Sequence, residues 1–419
     1  MPLPDLKPRT ARRGEVPSRS DAGEGGRLFG RKHAGRRPGG VVGSGASLGV
    51  TLAALTQAAR HDLSCACGPS QHRQRGSDGL WIYPAALPSG RRAPMLKVLQ
   101  ASGCERNCAY CAERCGGQGR ALCLVPEALA SAFLDLHRAG HVAGLFLSSA
   151  IQGGAVATMD RMLATAELLR RRHAFRGYIH LKLIPGCQPA QIERAMALAT
   201  RVSVNMEAPT AAHLARIAPG KDFQAHILSP MRQVADAVAA GHFARGGQTT
   251  QLVVGAAGET DREIATAAAD GYREMGLARV YYSAMQPVPG TPLAERAATP
   301  FLREHRLYQV DFLLRGYGFS LDEIHFDEAG RLPLATDPKT LWAERHPERF
   351  PLEINRARPD ELLRVPGIGP RSAERLLAMR RRQRLRDIGA LRAAGASWKA
   401  AAPYLLLDGK PAERQLRLL

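Results

Sequence analysis

Three cysteines stand at C-x3-C-x2-C spacing in Cys104-Glu105-Arg106-Asn107-Cys108-Ala109-Tyr110-Cys111, with an aromatic residue directly before the last. Three thiolates on one short loop can ligate three irons of a cubane iron–sulfur cluster and leave the fourth iron open. Four cysteines suit an electron carrier or a structural cluster, whereas three leave a coordination position for chemistry. Cys115 stands close enough to be a fourth ligand, and a zinc site or disulfide framework is the bland alternative. On a second pattern, His180 and Lys182 share one face of the apolar run from Gly177 to Ile184. Polar side chains there would be costly in a fully apolar core, so they line a chamber or face a wet barrel mouth. The third pattern is Val365-Pro366-Gly367-Ile368-Gly369-Pro370-Arg371, two glycines around a plug residue between two apolar-periodic segments. Gly367 and Gly369 let the backbone turn tightly, and the N–H groups opening the next helix can then hold a phosphate oxygen.

These groups need a scaffold. Met95–Leu99 reads as a buried strand directly before the cysteine loop, and five more strands follow, each separated from the next by a helical segment. They are Gly144–Ser148, Gly177–Ile184, Arg201–Glu207, Thr249–Gly255 and Arg279–Met285. Such alternation predicts parallel βαβ units, hence an α/β fold with a partial (β/α)6 barrel and active groups at the C-terminal ends of strands. The domain reading is a disordered basic extension over 1–48, then a helix and irregular lead-in over 49–94. The barrel follows over 95–300, a connecting helical region over 301–351, and a small all-α domain over 352–419.

The chain has 419 residues and a net charge of +20, which favours a polyanionic partner, although an arginine-rich composition alone can produce it. From residue 352 onward fifteen Lys or Arg stand against seven Asp or Glu, including the run Arg380-Arg381-Arg382-Gln383-Arg384. Eight cysteines in a chain this long are no secreted disulfide scaffold and fit a reducing compartment. Cys65, Cys67, Cys115, Cys123 and Cys187 leave a second cluster open, though their spacing is scattered. No apolar run spans a bilayer and no signal peptide is evident, so the reading is cytoplasmic, with no membrane.

The cysteine loop resembles the radical S-adenosylmethionine (SAM) superfamily. That resemblance implies a [4Fe–4S] cluster on Cys104, Cys108 and Cys111, with SAM chelated at the open iron. It further implies SAM contacts from Tyr110, from Ser148 and Ser149 in place of a Gly-Gly-Glu edge, from Asn205 and Glu207 to the ribose, and from Arg216 to the carboxylate. His180 and Lys182 become candidate catalytic residues in the substrate chamber. The terminal motif resembles the helix-hairpin-helix module and implies non-sequence-specific DNA binding through Gly367, Ile368, Gly369 and Arg371. Together with Glu304-His305-Arg306-Leu307-Tyr308-Gln309 and Asp337-Pro338-Lys339, these features resemble radical SAM proteins of DNA modification or repair. That family is linked to a uracil-DNA-glycosylase-like partner, and a flavodoxin or ferredoxin would donate electrons. The expected activity is reductive cleavage of SAM to a 5′-deoxyadenosyl radical. The alternatives are a DNA-binding protein with a structural cluster and a radical SAM enzyme acting on a small molecule.

Overall fold

The computed structural model describes residues 41–42, 46–59, 74–75, 81–86, 92–117, 121–242 and 244–412. Most of the expected basic extension, together with Cys65 and Cys67, lies outside the described residues. The described chain opens with β1 (Val41–Val42) and α1 (Ala46–Ala58). Strands β2 (Gln74–Arg75), β3 (Trp81–Ala86) and β4 (Arg92–Leu99) pair antiparallel in succession. The stretch read as an irregular lead-in therefore contains two further strands at this end of the sheet; Pro84 lies beyond the two residues of β3 that β2 covers, the kind of edge position that tolerates proline. Next come β5 (Cys123–Leu124), paired with β1, then α2 (Pro126–Arg138), β6 (Gly144–Ser148), α3 (Gly154–Glu167), β7 (Tyr178–Lys182) and α4 (Pro189–Leu198). Strand β8 (Arg201–Ser203), α5 (Ala211–Ile217), α6 (Ser229–Ala239), β9 (Gln248–Val254), α7 (Asp261–Glu274) and β10 (Leu277–Ala284) complete the alternation. Helices α8 (Phe301–Gly316) and α9 (Pro338–Glu344) lead to the C-terminal module.

The main sheet has the order β10-β9-β8-β7-β6-β4-β3-β2, with β4 and β6 to β10 parallel. Alternation along each strand sorts the side chains. Leu96, Val98, Leu145, Leu147, Ile179, Leu181, Val202 and Val280 are wholly buried on the face that the helices cover. Each such side chain withdrawn from water stabilises the fold by about 1.5–3 kcal/mol. Local signals start the helices where the pattern demands: Pro126 and Pro189 open α2 and α4, and a Thr260–Glu263 capping box opens α7. Leu99 on β4 and Ser283 on β10 line one cavity although four strands separate them, so the sheet curls into a partial barrel.

The C-terminal module has its own core around Ile354, Leu362, Val365, Ile368, Leu376 and Leu391. Its elements are β11 (Leu352–Glu353), α10 (Pro359–Arg364), α11 (Pro370–Arg380), α12 (Ile388–Ala393), α13 (Trp398–Ala401), β12 (Leu405–Leu407) and β13 (Lys410–Pro411). The three strands form a small sheet that an all-α reading leaves out; they are too short for a period-two pattern to show in sequence.

Candidate functional site

The cysteine loop leaves the C-terminal end of β4 and is fastened on every side. Cys104 N–H donates to the Glu113 carbonyl at 2.6 Å, and Ala109 N–H donates to the carbonyl of Ile217 at the end of α5. Arg106 reaches the Gly220 carbonyl at 2.8 Å. The Glu105 carboxylate accepts from Gly153 and Gly154 N–H at the start of α3, where negative charge suits the helix dipole. Cys104 Sγ already accepts the N–H groups of Ile151 and Arg106, at 3.3 and 3.4 Å.

Cys104, Cys108 and Cys111 line a single cavity of about 230 Å³ at the C-terminal ends of the strands, with Tyr110, Ser148, Ser149, Lys182, Asn205, Glu207 and Lys221. Among the described residues no three Cys, His, Asp or Glu side chains converge on a point where one ion would sit. The thiols instead border a shared space, and backbone N–H groups already aimed at a sulfur are what a thiolate-bound cluster uses to tune itself. The donor set fits a three-cysteine cluster. Cys115 is exposed and outside the cavity lining, while Cys123 and Cys187 are buried elsewhere. Burial pushes the Cys108 thiol above its ordinary value and that of Cys111 up to about 12. A bound metal would deprotonate both outright.

The segment expected to be strand as far as Glu207 stops pairing regularly at Ser203. Beyond it Glu207 adopts a left-handed backbone, φ +65°, locked between two hydrogen bonds to β9: its N–H donates to the Gln251 carbonyl and its carbonyl accepts from Val253. A glutamate in this conformation is strained, and such strain clusters where a side chain must be aimed. Asn205 and Glu207 thus reach the cavity by this irregular route and not by strand alternation.

Sequence reasoning missed Lys221. It follows Pro219-Gly220, which reads as an ordinary turn, and only tertiary structure brings its ammonium 2.9 Å from Glu207 and 3.4 Å from the Tyr110 hydroxyl. Both partners of the ion pair are nearly inaccessible to water. Burial alone would push the Lys221 amine down, but the Glu207 carboxylate and the nearby thiols hold it above its ordinary value. Burial, reinforced by Glu207, raises the Tyr110 phenol well above its usual range. Arg216 sits elsewhere: it is exposed, donates to the Ala257 carbonyl at 3.1 Å, and is absent from the cavity lining. Lys182 lines the cavity, whereas His180 lies deeper, its ring 4.2 Å from that of Phe146.

In the C-terminal motif, Gly367 has φ +77°, and an added Cβ would fall 2.5 Å from the Ser397 carbonyl oxygen. Gly369 keeps an ordinary φ of −99° as the residue capping α11. Ile368 is buried in the module's core and Arg371 is exposed. Lys339 of α9 donates to the Ile368 carbonyl at 2.5 Å and lies over the Tyr317 ring, so the hairpin turn is held against the barrel side of the chain.

No family model matches the chain, and no curated protein matches it. Among solved structures it is similar to HydG, a maturase of [FeFe]-hydrogenase, at 12% identity and TM-score 0.43, over 52% of this chain and 48% of that one. It is also similar to a radical SAM methyltransferase from Sphaerobacter thermophilus, at 15% identity and TM-score 0.40, over 57% and 72%. A third is the radical SAM methyltransferase TsrM from Kitasatospora setae with cobalamin and [4Fe–4S] cluster bound, at 15% identity and TM-score 0.36, over 48% and 36%. The chain spans about half the length of HydG.

Proposed function

We propose that this protein is a radical SAM enzyme that acts on DNA in its modification or repair, in the cytoplasm. One observation carries the first half: three cysteines of a single loop share a cavity with a strained glutamate, an asparagine and a buried lysine at the strand ends. Cys104, Cys108 and Cys111 would hold a [4Fe–4S] cluster, which supplies, when bound, the electron that cleaves SAM and releases a 5′-deoxyadenosyl radical. The chain's own residues bind and orient. Asn205 and Glu207 offer an amide and a carboxylate to vicinal ribose hydroxyls, and Lys221 fixes the Glu207 carboxylate through their ion pair. Ser148 and Ser149 border the same space at the end of β6. Arg106, Lys182 and Lys221 are the cations that line this cavity, and Arg216 is not among them.

The DNA half rests on the resemblance of the hairpin and on the basic surplus after residue 352, which suit phosphate contacts without base readout. A target base would leave the duplex to enter the barrel. A uracil-DNA-glycosylase-like partner and a flavodoxin or ferredoxin donor complete this proposal. The contact of Lys339 with the hairpin turn favours a second reading, in which the module is a docking element and the substrate is a small molecule. Anaerobic reconstitution with iron, sulfide, SAM and dithionite, with and without DNA, tests both. The proposal expects 5′-deoxyadenosine in every case and a DNA-dependent product. A cluster whose spectrum ignores SAM overturns the enzyme reading; SAM cleavage with no DNA binding at low salt selects the docking one.

A further inference from the structure

The wall of the cavity that β9 and β10 build is chemically unlike the rest of it. Among the described residues every Lys, Arg, Asp or Glu lining the cavity comes from the cysteine loop, from β7 or from residues 205–221: Arg106, Glu113, Lys182, Glu207 and Lys221. Residues 251–288 contribute two amides, one hydroxyl and otherwise aliphatic or thioether groups. One amide is already committed, because Gln286 donates to the carbonyls of Met285 and Thr299. Gln251 and Ser283 are not. Alternation puts Gln251 of β9 and Ser283 of β10 on the inner face, whereas Leu252 and Tyr282 face the helix-covered core. Gln251 is 5% exposed and Ser283 6%, and among the described residues neither the amide nor the hydroxyl has a hydrogen-bond partner. Both border the cavity, so a ligand in it can reach them. Buried amides and hydroxyls are ordinarily satisfied, so two unpaired ones on neighbouring strands point to a ligand. Val253 stands opposite Ser283, which sets Gln251 and Ser283 two residues apart in register, with Cα atoms roughly 8 Å apart by strand spacing and rise.

We propose that this wall is the substrate subsite, and that Gln251 and Ser283 read an uncharged ring edge on which a hydrogen-bond donor and acceptor stand side by side, a lactam or an amidine edge such as a nucleobase presents. The Gln251 amide both donates and accepts, so it pairs twice with such an edge, and the Ser283 hydroxyl takes the neighbouring position on the ring. Val253, Ala284 and Met285 offer apolar surface to the ring itself. A charged group has no counterpart on this wall and would lose its hydration there. The inference rests on the reading of the cysteine side of the cavity as the SAM site, and it deepens the proposed function by naming the part of the substrate that the barrel recognises.

The test is calorimetry on the full-length, cluster-loaded protein, first titrated with SAM and then, saturated with it and without reductant, with the probes. These are thymidine, deoxyguanosine, deoxyadenosine and deoxycytidine, together with the difluorotoluene deoxynucleoside, which keeps the shape of thymidine and lacks its polar edge. At least one natural nucleoside is expected to bind at least about tenfold more tightly than the isostere. A preference for thymidine or deoxyguanosine marks a lactam edge, and one for deoxyadenosine or deoxycytidine an amidine edge. Gln251→Met, which keeps the chain length, should erase most of that preference and Ser283→Ala part of it, with SAM affinity unchanged in both. Equal binding of natural and isosteric probes, or a preference that survives Gln251→Met, overturns the subsite alone. Loss of SAM affinity in Gln251→Met also overturns it, by assigning the wall to the adenine of SAM. Absence of SAM binding in the first titration overturns the reading of the site, and this inference with it.

Discussion

At the scale of single residues, the cavity joins two kinds of group that fail differently when altered. Cys108 is a proposed ligand, so Cys108→Ala should lower iron content after reconstitution and abolish 5′-deoxyadenosine formation, while leaving the secondary structure measured by circular dichroism unchanged. Lys221 and Glu207 form a buried ion pair, and removing one partner strands the other charge away from water. Lys221→Met should therefore destabilise the protein by about 3–5 kcal/mol in urea unfolding. Adding Glu207→Gln should restore most of that stability while leaving SAM binding roughly ten- to a hundredfold weaker, as expected for a lost charged hydrogen bond of about 1.5–3 kcal/mol. A double variant no more stable than Lys221→Met would show that the pair does not act as a unit. The cysteines announce themselves by spacing. Lys221 does not, because its meaning lies in a partner fourteen residues away that reaches it through a left-handed turn.

Elements were legible wherever one side of the chain had to be apolar. The six parallel strands and the helices between them follow from aliphatic runs and helix-start residues, each lying on the helix-covered face of the sheet or capping its helix. What stayed illegible was set by tertiary contacts: the antiparallel strands β2 and β3, the early end of β8, and the short strands of the C-terminal module. The hairpin turn shows the same division. Both glycines look equivalent in sequence, yet only Gly367 occupies the left-handed region with no room for a Cβ. Gly367→Ala should thus lower the module's stability clearly more than Gly369→Ala, as read by hydrogen exchange of α10 and α11. Lys339, pressed on this turn, has its amine pushed down by burial to about 7. An unfolded lysine titrates near its ordinary value, so between these two pH values the unfolded chain binds more protons than the folded one. Stability should accordingly rise with pH from about 7 toward 10 by up to a few kcal/mol, and stay level below 7, where the amine is protonated in both states. Lys339→Met should flatten this slope in denaturant titrations at pH 6, 8 and 9.5.

On the scale of the whole molecule, charge and architecture give one further expectation. If the hairpin module meets phosphates, the full-length protein should bind duplex DNA with little sequence preference. Its log affinity should fall with log salt at a slope of about 0.9 per phosphate contacted. Arg371→Ala should reduce that slope by about one, because the residue is exposed at the start of α11. No helix among the described residues is long and apolar enough to cross a membrane. The cavity draws on residues from Ala58 to Val288, and this span has a consequence for biogenesis. A ribosome synthesising about 5–20 residues per second emits Cys104 roughly 10–40 s before Ser283, whose strand closes the far wall. Throughout that interval the three thiols have no lid. In air they are open to oxidation while the chain is still growing, so delivery of the proposed cluster would either wait for release or compete with oxygen during translation.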